Sequence, residues 1–321
     1  MYACIDLGSN SFHLLIARWQ DERSELVERF SNLVQLGEGV SLTGEISPAA
    51  FARGLECLQE FSEALNRHSV SKYWALGTNA LRMASNAPQF IAEASKLGIE
   101  ISVISGLQEA VLVYSGVLSG LPASDALRLV VDIGGGSTEV IVGRQRQRLV
   151  TCSLPVGCVT WRDRHFSALP ASPVEIEKQL DGAVKAAFDV FSDIRERVRS
   201  HLWSEVYASS GTAKMLALVG QACGYGGGDI SKSMLSYMKR DVVACAHEPE
   251  LLLPGLKDRR KDLLLPGWAV MSGLMQAFDI ERINFSPTAL REGMLDFMMH
   301  KGSDTSLLEK ELLPEVIHTG L

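Results

Sequence analysis

Apolar and polar residues recur along this chain with two different periods. Short apolar runs that end at glycine or small polar residues predict strands, whereas apolar residues three or four positions apart predict amphipathic helices. Two long helical patterns begin at Ser47 and Ser172, and a proline follows each serine, as is typical of a helix start. The second pattern keeps its apolar positions as far as Val198 and predicts one long helix. Because strand and helix patterns alternate, the sequence predicts mixed α/β domains.

Shorter elements fill the spaces between these helices. A strand is predicted to end at Gly77, with a polar turn around residues 78–82 behind it. Residues 99–104 alternate as another strand, and a helical run starts near Leu107. Ser231 is predicted to cap a later helix, after a glycine-rich loop.

One pattern occurs twice. Residues 5–18 read IDLGSNSFHLLIAR and residues 131–144 read VDIGGGSTEVIVGR, so that Asp6 matches Asp132 at a constant offset. Each segment has an apolar run, an aspartate, a turn of small residues and a second apolar run, which predicts two strands joined by a tight turn. Because one such segment opens each half of the chain, we expect a duplicated α/β domain with a cleft between the copies.

Length and charge restrict the class of protein. The chain has 321 residues, with 31 Lys and Arg against 38 Asp and Glu, and a formal charge of −7. The length predicts two domains, and the acidic balance argues against a nucleic-acid binder, which needs a broad basic surface. An anionic ligand would therefore have to be bound locally, by backbone amides and a few basic side chains.

The same patterns indicate a cytoplasmic protein. Asp6 interrupts the first apolar residues, so we expect no secretory signal. The apolar stretch at residues 263–278 is short for a membrane span and predicts a buried core helix. The 6 cysteines show no C-x-x-C pair and no metal-ligand spacing, which favours reduced thiols. We expect no membrane partner.

The two repeated turns are the strongest candidates for chemistry. A glycine-rich turn can point consecutive N–H groups at an anion, and hydroxyl side chains add donors. Asp132 and Glu139 could hold a divalent cation beside the bound phosphate through hard oxygen ligands. Tight turns that need small residues for geometry alone are the alternative, which the recurrence in both halves disfavours. The candidate anion donors are Gly8, Ser9, Asn10 and Ser11 in the first turn and Gly134, Gly135, Gly136, Ser137 and Thr138 in the second.

Three further features are ambiguous by spacing alone. The segment ASSGTAK, which contains Ser210, Gly211 and Thr212, fits an anion loop and a plain strand–turn–helix connection equally well. Arg82 by itself fits an ordinary surface arginine. Glu109 fits a helix-starting carboxylate that meets the helix dipole.

Together these segments supply the parts of phosphoryl-transfer chemistry: two amide loops, a metal site, an arginine and a carboxylate to orient water. The pattern alone does not separate a kinase from a hydrolase. The basic clusters at residues 195–199 and 257–261 fit either a track for a longer polyanion or solvated helix and loop faces, and the second interpretation is favoured.

The ordered motifs resemble those of a known family. IDLGSNSFHLLIAR, GTNALRMA, ISGLQEA, VDIGGGSTEVIVG, ASSGTAKM, RKDLLLPGWAVMSG and TALREG are similar, in this order, to motifs of the exopolyphosphatase/guanosine pentaphosphate phosphatase family. That family is a branch of the actin-like ATPase superfamily (ASKHA, ribonuclease H-like). The resemblance implies an α/β fold of two actin-like domains with an interdomain cleft, domain I at 1–120 plus 289–321 and domain II at 121–288.

The resemblance also implies roles for individual residues. Glu109 aligns with the general base that activates the attacking water. Asp132 and Glu139 align with the acids that support Mg²⁺ or Mn²⁺. The two glycine-rich turns and Arg82 align with groups that bind the phosphate chain. Many members have glutamate where this chain has Gln108, but the catalytic acid is the next residue, which is retained.

The resemblance is to the short members, which lack a C-terminal HD-type domain. It implies hydrolysis of polyphosphate or of guanosine pentaphosphate (pppGpp), the latter tied to the stringent response, and a homodimer. A kinase would instead transfer to an acceptor hydroxyl and need an adenosine pocket. A non-catalytic sensor of polyphosphate or guanosine tetra- and pentaphosphate would be favoured if Glu109 were missing, and it is present. A hydrolase is therefore expected.

Overall fold

The structure is a computed structural model that describes residues 1–20, 23–299, 313 and 317–319. The chain forms two compact units. Unit 1 is Met1–Ser119 with Thr288–Leu321, and unit 2 is Gly120–Pro287. Each unit contains one mixed β-sheet with helices packed on it.

Strands and helices alternate along the chain, as the hydrophobic pattern predicted. The strands are β1 (Tyr2–Leu7), β2 (Ser11–Gln20), β3 (Arg23–Leu33), β4 (Lys72–Gly77), β5 (Ile101–Val103), β6 (Leu127–Ile133), β7 (Thr138–Arg144), β8 (Gln147–Leu154), β9 (Glu205–Ser209), β10 (Ile230–Ser231), β11 (Arg282–Phe285) and β12 (Ile317–His318). The α-helices are α1 (Val40–Thr43), α2 (Pro48–Arg67), α3 (Asn79–Met83), α4 (Ala87–Lys96), α5 (Gly106–Ser119), α6 (Cys158–His165), α7 (Pro173–Ser192), α8 (Arg195–Arg199), α9 (Ser210–Ala222), α10 (Lys232–His247), α11 (Leu264–Phe278) and α12 (Leu290–Met299). A 3-10 helix, Asp258–Leu263, precedes α11.

In unit 1, β1, β2 and β3 form an antiparallel sheet, which β4, β5 and β12 extend. β4 pairs in parallel with β1, β5 pairs in parallel with β4, and β12 pairs antiparallel with β4. On the apolar face of α2, Leu58 and Phe61 are fully buried in the core of this unit. Within the β1–β2 pair, Asp6 lies opposite His13.

Unit 2 repeats this arrangement. Its β6–β7–β8 sheet is antiparallel, β9 pairs in parallel with β6, and β11 pairs in parallel with β9. Asp132 lies opposite Glu139, which is the position that Asp6 and His13 hold in unit 1. The prediction of two strand–turn–strand segments, one in each half, is confirmed. The glycine-rich turn of each unit connects the first two strands of its sheet.

The predicted helix starts are confirmed. The hydroxyl oxygens of Ser47, Ser172 and Ser231 accept hydrogen bonds from backbone amides of the first turns of α2, α7 and α10. The prediction of one long helix from Ser172 to Val198 is wrong in one respect, because this stretch forms two helices, α7 and α8. At the break, the Ile194 amide donates to the Phe191 carbonyl, three residues back instead of four.

Two other predictions need correction. The polar turn at residues 78–82 is the short helix α3, since the Arg82 amide donates to the Thr78 carbonyl and closes a helical turn. The strand predicted at 99–104 is reduced to the three residues of β5. The apolar stretch at 263–278 forms α11, almost wholly buried, as predicted. Among the described residues, no helix combines the length and apolar character needed to cross a membrane. All six cysteines are free thiols.

Candidate active site

The first glycine-rich turn leaves its amides available. In the described part of the chain, the N–H groups of Gly8, Ser9 and Asn10 donate to no protein acceptor. The Asn10 side-chain amide donates to the Ser11 hydroxyl at 3.2 Å, and the Asn10 Oδ1 atom is buried with no hydrogen-bond partner among the described residues. Consecutive open amides of this kind form a concave site for an anion.

The second turn has the same property in unit 2. The Gly134 amide donates to the Ser137 carbonyl at 2.9 Å and closes the turn. The amides of Gly135, Gly136 and Ser137 donate to no acceptor that the structure describes. Thr138 is fully buried and its hydroxyl donates to the Val156 carbonyl. The predicted contact between that hydroxyl and a phosphate would require this bond to break.

The predicted metal ligands form a buried carboxylate pair. Asp132 on β6 is 9% exposed, Glu139 on β7 is 1% exposed, and the two lie directly opposite each other. Opposed residues of an antiparallel pair project from the same face of the sheet, with Cβ atoms about 5 Å apart. The Ser153 hydroxyl donates to Glu139 Oε1 at 2.8 Å, and the Ser209 hydroxyl donates to Asp132 Oδ2.

This donor set fits Mg²⁺ or Mn²⁺. Both cations prefer carboxylate oxygens, and Mg²⁺ commonly takes one or two carboxylates while water and substrate phosphates complete its coordination. Two facing carboxylates also repel each other, and a divalent cation would offset that repulsion. The described residues contain no cluster of three or more His, Cys, Asp or Glu side chains placed to hold a metal.

The third predicted segment lies at the junction of β9 and α9. Ser210 has a φ of 91°, which L side chains rarely adopt, and its hydroxyl accepts hydrogen bonds from the Thr212 and Ala213 amides. Non-glycine residues in this backbone region concentrate at functional sites. Thr212 is buried, and Gly211 lies against a guanidinium: a Cβ at this glycine would be 2.3 Å from Arg260.

Arg260 was not a sequence candidate. Its cluster, residues 257–261, was interpreted as a solvated face, and for Arg260 that interpretation is wrong because its side chain packs on Gly211 beside the Cys158 thiol. Burial lowers the pKa of the Arg260 guanidinium below its ordinary value. No carboxylate of the described residues lies within ion-pair distance of it. A largely buried guanidinium in this state suits a phosphate or carboxylate ligand.

A neighbouring ion-pair network holds the segment that carries Arg260. Arg162 on α6 donates through NH1 to Asp262 at 2.7 Å, and through Nε and NH2 to Asp163 at 3.0 and 2.9 Å. Asp262 belongs to the same 3-10 helix as Arg260. The network therefore fixes this 3-10 helix against α6.

In unit 1, Arg82 and Glu109 form an ion pair. Arg82 NH1 donates to Glu109 Oε2 at 2.9 Å and to the Ile104 carbonyl at 2.8 Å. Glu109 sits in the first turn of α5, where the Ser105 hydroxyl and the Gln108 side chain cap the helix reciprocally. Gln108, the departure from the family pattern, thus fixes the helical turn that presents the glutamate.

The environment of Glu109 suits a base. Its side chain is 13% exposed. Burial raises the pKa of Glu109 above its ordinary value, because a carboxylate is poorly solvated there, and the Arg82 charge opposes that rise. A carboxylate with a raised pKa is a stronger proton acceptor, and Arg82 helps to keep it ionised.

The structure groups the predicted residues within the units. Arg82 and Glu109 meet in unit 1, and Asp132, Glu139 and the 210–212 segment belong to unit 2. Sequence reasoning missed Ser153, Ser209 and Arg260. Ser209 lies within the predicted ASSGTAK segment but was not chosen from it, and Arg260 belongs to a family motif, but no spacing rule reveals which side chain each would contact.

Known proteins share this chain's sequence pattern and fold. The model of the Ppx/GppA phosphatase family matches residues 15–302. The crystal structure of an exopolyphosphatase from Cytophaga hutchinsonii is similar with a TM-score of 0.83 and 26% identity, over 93% of this chain and 97% of that one. The crystal structure of the Aquifex aeolicus member of the Ppx/GppA family gives a TM-score of 0.73 and 23% identity, over 95% of this chain and 99% of that one.

These similarities establish the fold class and the family. The fold is the α/β, actin-like fold that the sequence predicted. The family match spans most of the chain and includes the glycine-rich turn of unit 2 and the Glu109 helix. The chain belongs to the Ppx/GppA phosphatase family.

Proposed function

We propose that this phosphatase removes the terminal phosphate of inorganic polyphosphate by metal-assisted attack of water, and that pppGpp is a second substrate of the same class. Both compounds end in a phosphoanhydride. The observation that carries the proposal is the buried, Arg82-paired carboxylate of Glu109 at the start of α5, with its raised pKa. The similarity to the Cytophaga hutchinsonii exopolyphosphatase supports polyphosphate as the substrate.

In unit 1, Glu109 acts as the general base. It accepts a proton from a water molecule that attacks the terminal phosphorus in line with the leaving oxygen. Arg82 orients the carboxylate and keeps it ionised. The capped first turn of α5 holds the carboxylate in place, so that little reorganisation is needed during the reaction.

The amide turns and Arg260 bind the phosphate groups. Open amides at residues 8–10 and 135–137 are fixed donors for phosphate oxygens. Arg260 adds a cation beside the 210–212 segment. Asp132 and Glu139 would hold the metal, and a divalent cation bound there would neutralise the negative charge of the transferring phosphate.

The first experiment compares phosphate release from long polyphosphate, tripolyphosphate, pppGpp and ATP, with Mg²⁺ or Mn²⁺. Glu109→Gln should lower turnover about 100- to 10,000-fold, because general-base catalysis contributes roughly that much, while substrate still binds. Glu56→Gln, at an exposed position on α2, is the matched control. Near-normal turnover in Glu109→Gln would assign the base to another residue.

The same assay separates a hydrolase from a kinase. In water enriched in ¹⁸O, attack by water places one ¹⁸O atom in each released phosphate. A kinase would transfer the phosphate to an acceptor hydroxyl, so that the product would contain no ¹⁸O from water. If the wild-type protein binds polyphosphate or pppGpp yet releases phosphate from no substrate, the sensor hypothesis replaces the hydrolase.

A further inference from the structure

Each glycine-rich turn, at residues 8–11 in unit 1 and 134–138 in unit 2, is supported by a second segment of the chain. This backing segment follows the third strand of the antiparallel part of each sheet. In unit 1 this backing segment is residues 34–37, after β3. In unit 2 it is residues 157–160, after β8 and at the start of α6. The pairing was not visible in the sequence, since the two backing segments share little beyond one glycine.

In unit 1 the backing segment occupies the carbonyl groups of the turn. The Gly37 amide donates to the Ser9 carbonyl at 2.8 Å. The Val34 and Gln35 amides donate to the Asn10 carbonyl at 3.2 and 2.8 Å. Gly37 makes this approach possible, because a Cβ there would be 2.6 Å from the Ser9 Cβ.

Unit 2 shows the same construction. The Cys158 amide donates to the Gly134 carbonyl at 3.0 Å. The Val159 and Thr160 amides donate to the Gly135 carbonyl at 2.8 and 3.1 Å. Here Gly157 allows the approach, because a Cβ at that glycine would be 2.5 Å from the Gly135 carbonyl oxygen.

The consequence is electrostatic. Carbonyl oxygens repel phosphate, and amide hydrogens attract it. In each turn, two carbonyls are bonded to the backing segment, while three consecutive amides donate to no acceptor among the described residues. A peptide group has its N–H and C=O on opposite sides, so tying the carbonyls down on one side helps to present amides on the other.

We infer that Gly37 and Gly157, with the amides that follow the third strands, are positioning residues that hold the two turns in their anion-binding conformation. The inference rests on the proposed function, because it assigns these turns to phosphate groups. In this inference neither glycine needs to contact the substrate. Each acts through the turn that it supports.

The test measures tripolyphosphate binding by calorimetry with Mg²⁺ in the Glu109→Gln background, where turnover does not consume the ligand. Gly37→Ala and Gly157→Ala should each weaken binding about tenfold or more, since several fixed donors are displaced together. Gly182→Ala is the matched control: it lies on α7 and a Cβ there meets nothing within 4 Å. The affinity of this control for tripolyphosphate should stay within about twofold of that of the Glu109→Gln parent. Thermal melting and circular dichroism verify that each variant is folded.

Two further variants keep the test decisive if a glycine variant does not fold. Cys158 is the first residue of α6, where proline is tolerated, and the extended Gly157 (φ −150°, ψ 166°) is compatible with a following proline. Cys158→Pro removes the donor to the Gly134 carbonyl and places a ring carbon against it. Cys158→Ala loses only the thiol, so the proline variant should bind more weakly than the alanine variant, about threefold or more.

In unit 1, Ser9→Gly combined with Gly37→Ala should recover much of the affinity lost in Gly37→Ala, because it removes the Cβ that the new methyl group meets. Equal affinities for Cys158→Pro and Cys158→Ala, or unchanged affinity in folded Gly37→Ala and Gly157→Ala, would overturn the inference. If the Glu109→Gln parent itself does not bind tripolyphosphate, the proposed function fails instead.

Discussion

Single side chains in this protein act through a partner. Arg82 and the α5 cap hold the Glu109 carboxylate, and the acids Asp132 and Glu139 each accept a hydrogen bond from a serine hydroxyl. The chemistry of each residue type was readable from the sequence. The partner that adjusts its charge or orientation was not.

Removal of Arg82 should shift the pH dependence of the reaction. A general base works when deprotonated, so kcat/KM rises as the pH increases through its pKa. The Arg82 charge lowers the pKa of Glu109, against the larger effect of burial that raises it. Arg82→Gln should therefore move the acidic limb of the kcat/KM profile to higher pH.

The measurement is a pH–rate profile with saturating metal. Arg67→Gln, at an exposed arginine near the end of α2, serves as the control and should leave the limb in place. An acidic limb that does not move, or that moves to lower pH, would show that Glu109 is not the titrating base.

Ser153 should influence metal binding. Its hydroxyl donates to Glu139 at 2.8 Å and orients that carboxylate. Loss of such a supporting hydrogen bond typically weakens metal affinity about 10- to 100-fold. Ser153→Ala should show this loss when Mn²⁺ is titrated into the substrate-free protein by calorimetry. Ser192→Ala, on α7, is the control, and an unchanged Kd in Ser153→Ala would remove Ser153 from the metal site.

Pairs of elements fix the places of these residues. In unit 1, α5 carries Glu109 and crosses α12 with almost no space between the backbones. A Cβ on Gly116 would lie 1.7 Å from the Ala289 carbonyl oxygen, and a Cβ on Gly293 would lie 1.8 Å from the Leu112 carbonyl oxygen. The position of Glu109 thus depends on a contact that involves two glycines far apart in sequence.

Gly293→Ala should force α5 and α12 apart. Overpacking of a close contact commonly costs about 1–3 kcal/mol, which urea denaturation would detect as a lower free energy of unfolding. Turnover should fall as well, because α5 moves with its carboxylate. Gly182→Ala, at a helical position with open space around it, should instead raise the free energy of unfolding by up to about 1 kcal/mol. A Gly293→Ala protein as stable and active as the wild type would mean that the crossing does not position Glu109.

At the scale of the whole molecule, two similar units supply different chemistry. Unit 1 contains the Arg82–Glu109 ion pair and unit 2 contains the acid pair Asp132 and Glu139, although both begin with the same three-stranded sheet and turn. Asp6 faces His13 where Asp132 faces Glu139. At this pair of opposed positions, unit 2 therefore has two acids, whereas unit 1 has one acid and one histidine.

The proposed function has Glu109 and Glu139 act in one chemical step, and kinetics of single and double variants can test this. Glu109→Gln and Glu139→Gln should each reduce kcat strongly. The double variant should lose far less than the product of the two effects, since groups that act in one chemical step are not additive. Steady-state kinetics of the four proteins gives the comparison. Multiplicative losses would show that the two carboxylates act independently.

The sequence by itself determined much of this protein. Local signals suffice where neighbours in the chain make the structure: the serine caps of α2, α7 and α10, the two strand–turn–strand segments, and the buried helix α11. It also identified Glu109, Asp132 and Glu139 as candidates, because the motifs surround them with characteristic residues. Their catalytic and metal-binding roles remain predictions.

Only the tertiary structure decided the rest. The ion pair of Arg82 with Glu109, the packing of Arg260 on Gly211 and the backing of the turn by Gly37 join residues that lie far apart in the chain. Periodicity and capping rules describe neighbours within a few residues. Contacts across a sheet or between helices depend on which elements pack together, so no local pattern could reveal that Arg260 packs on Gly211 or that Gly37 touches Ser9.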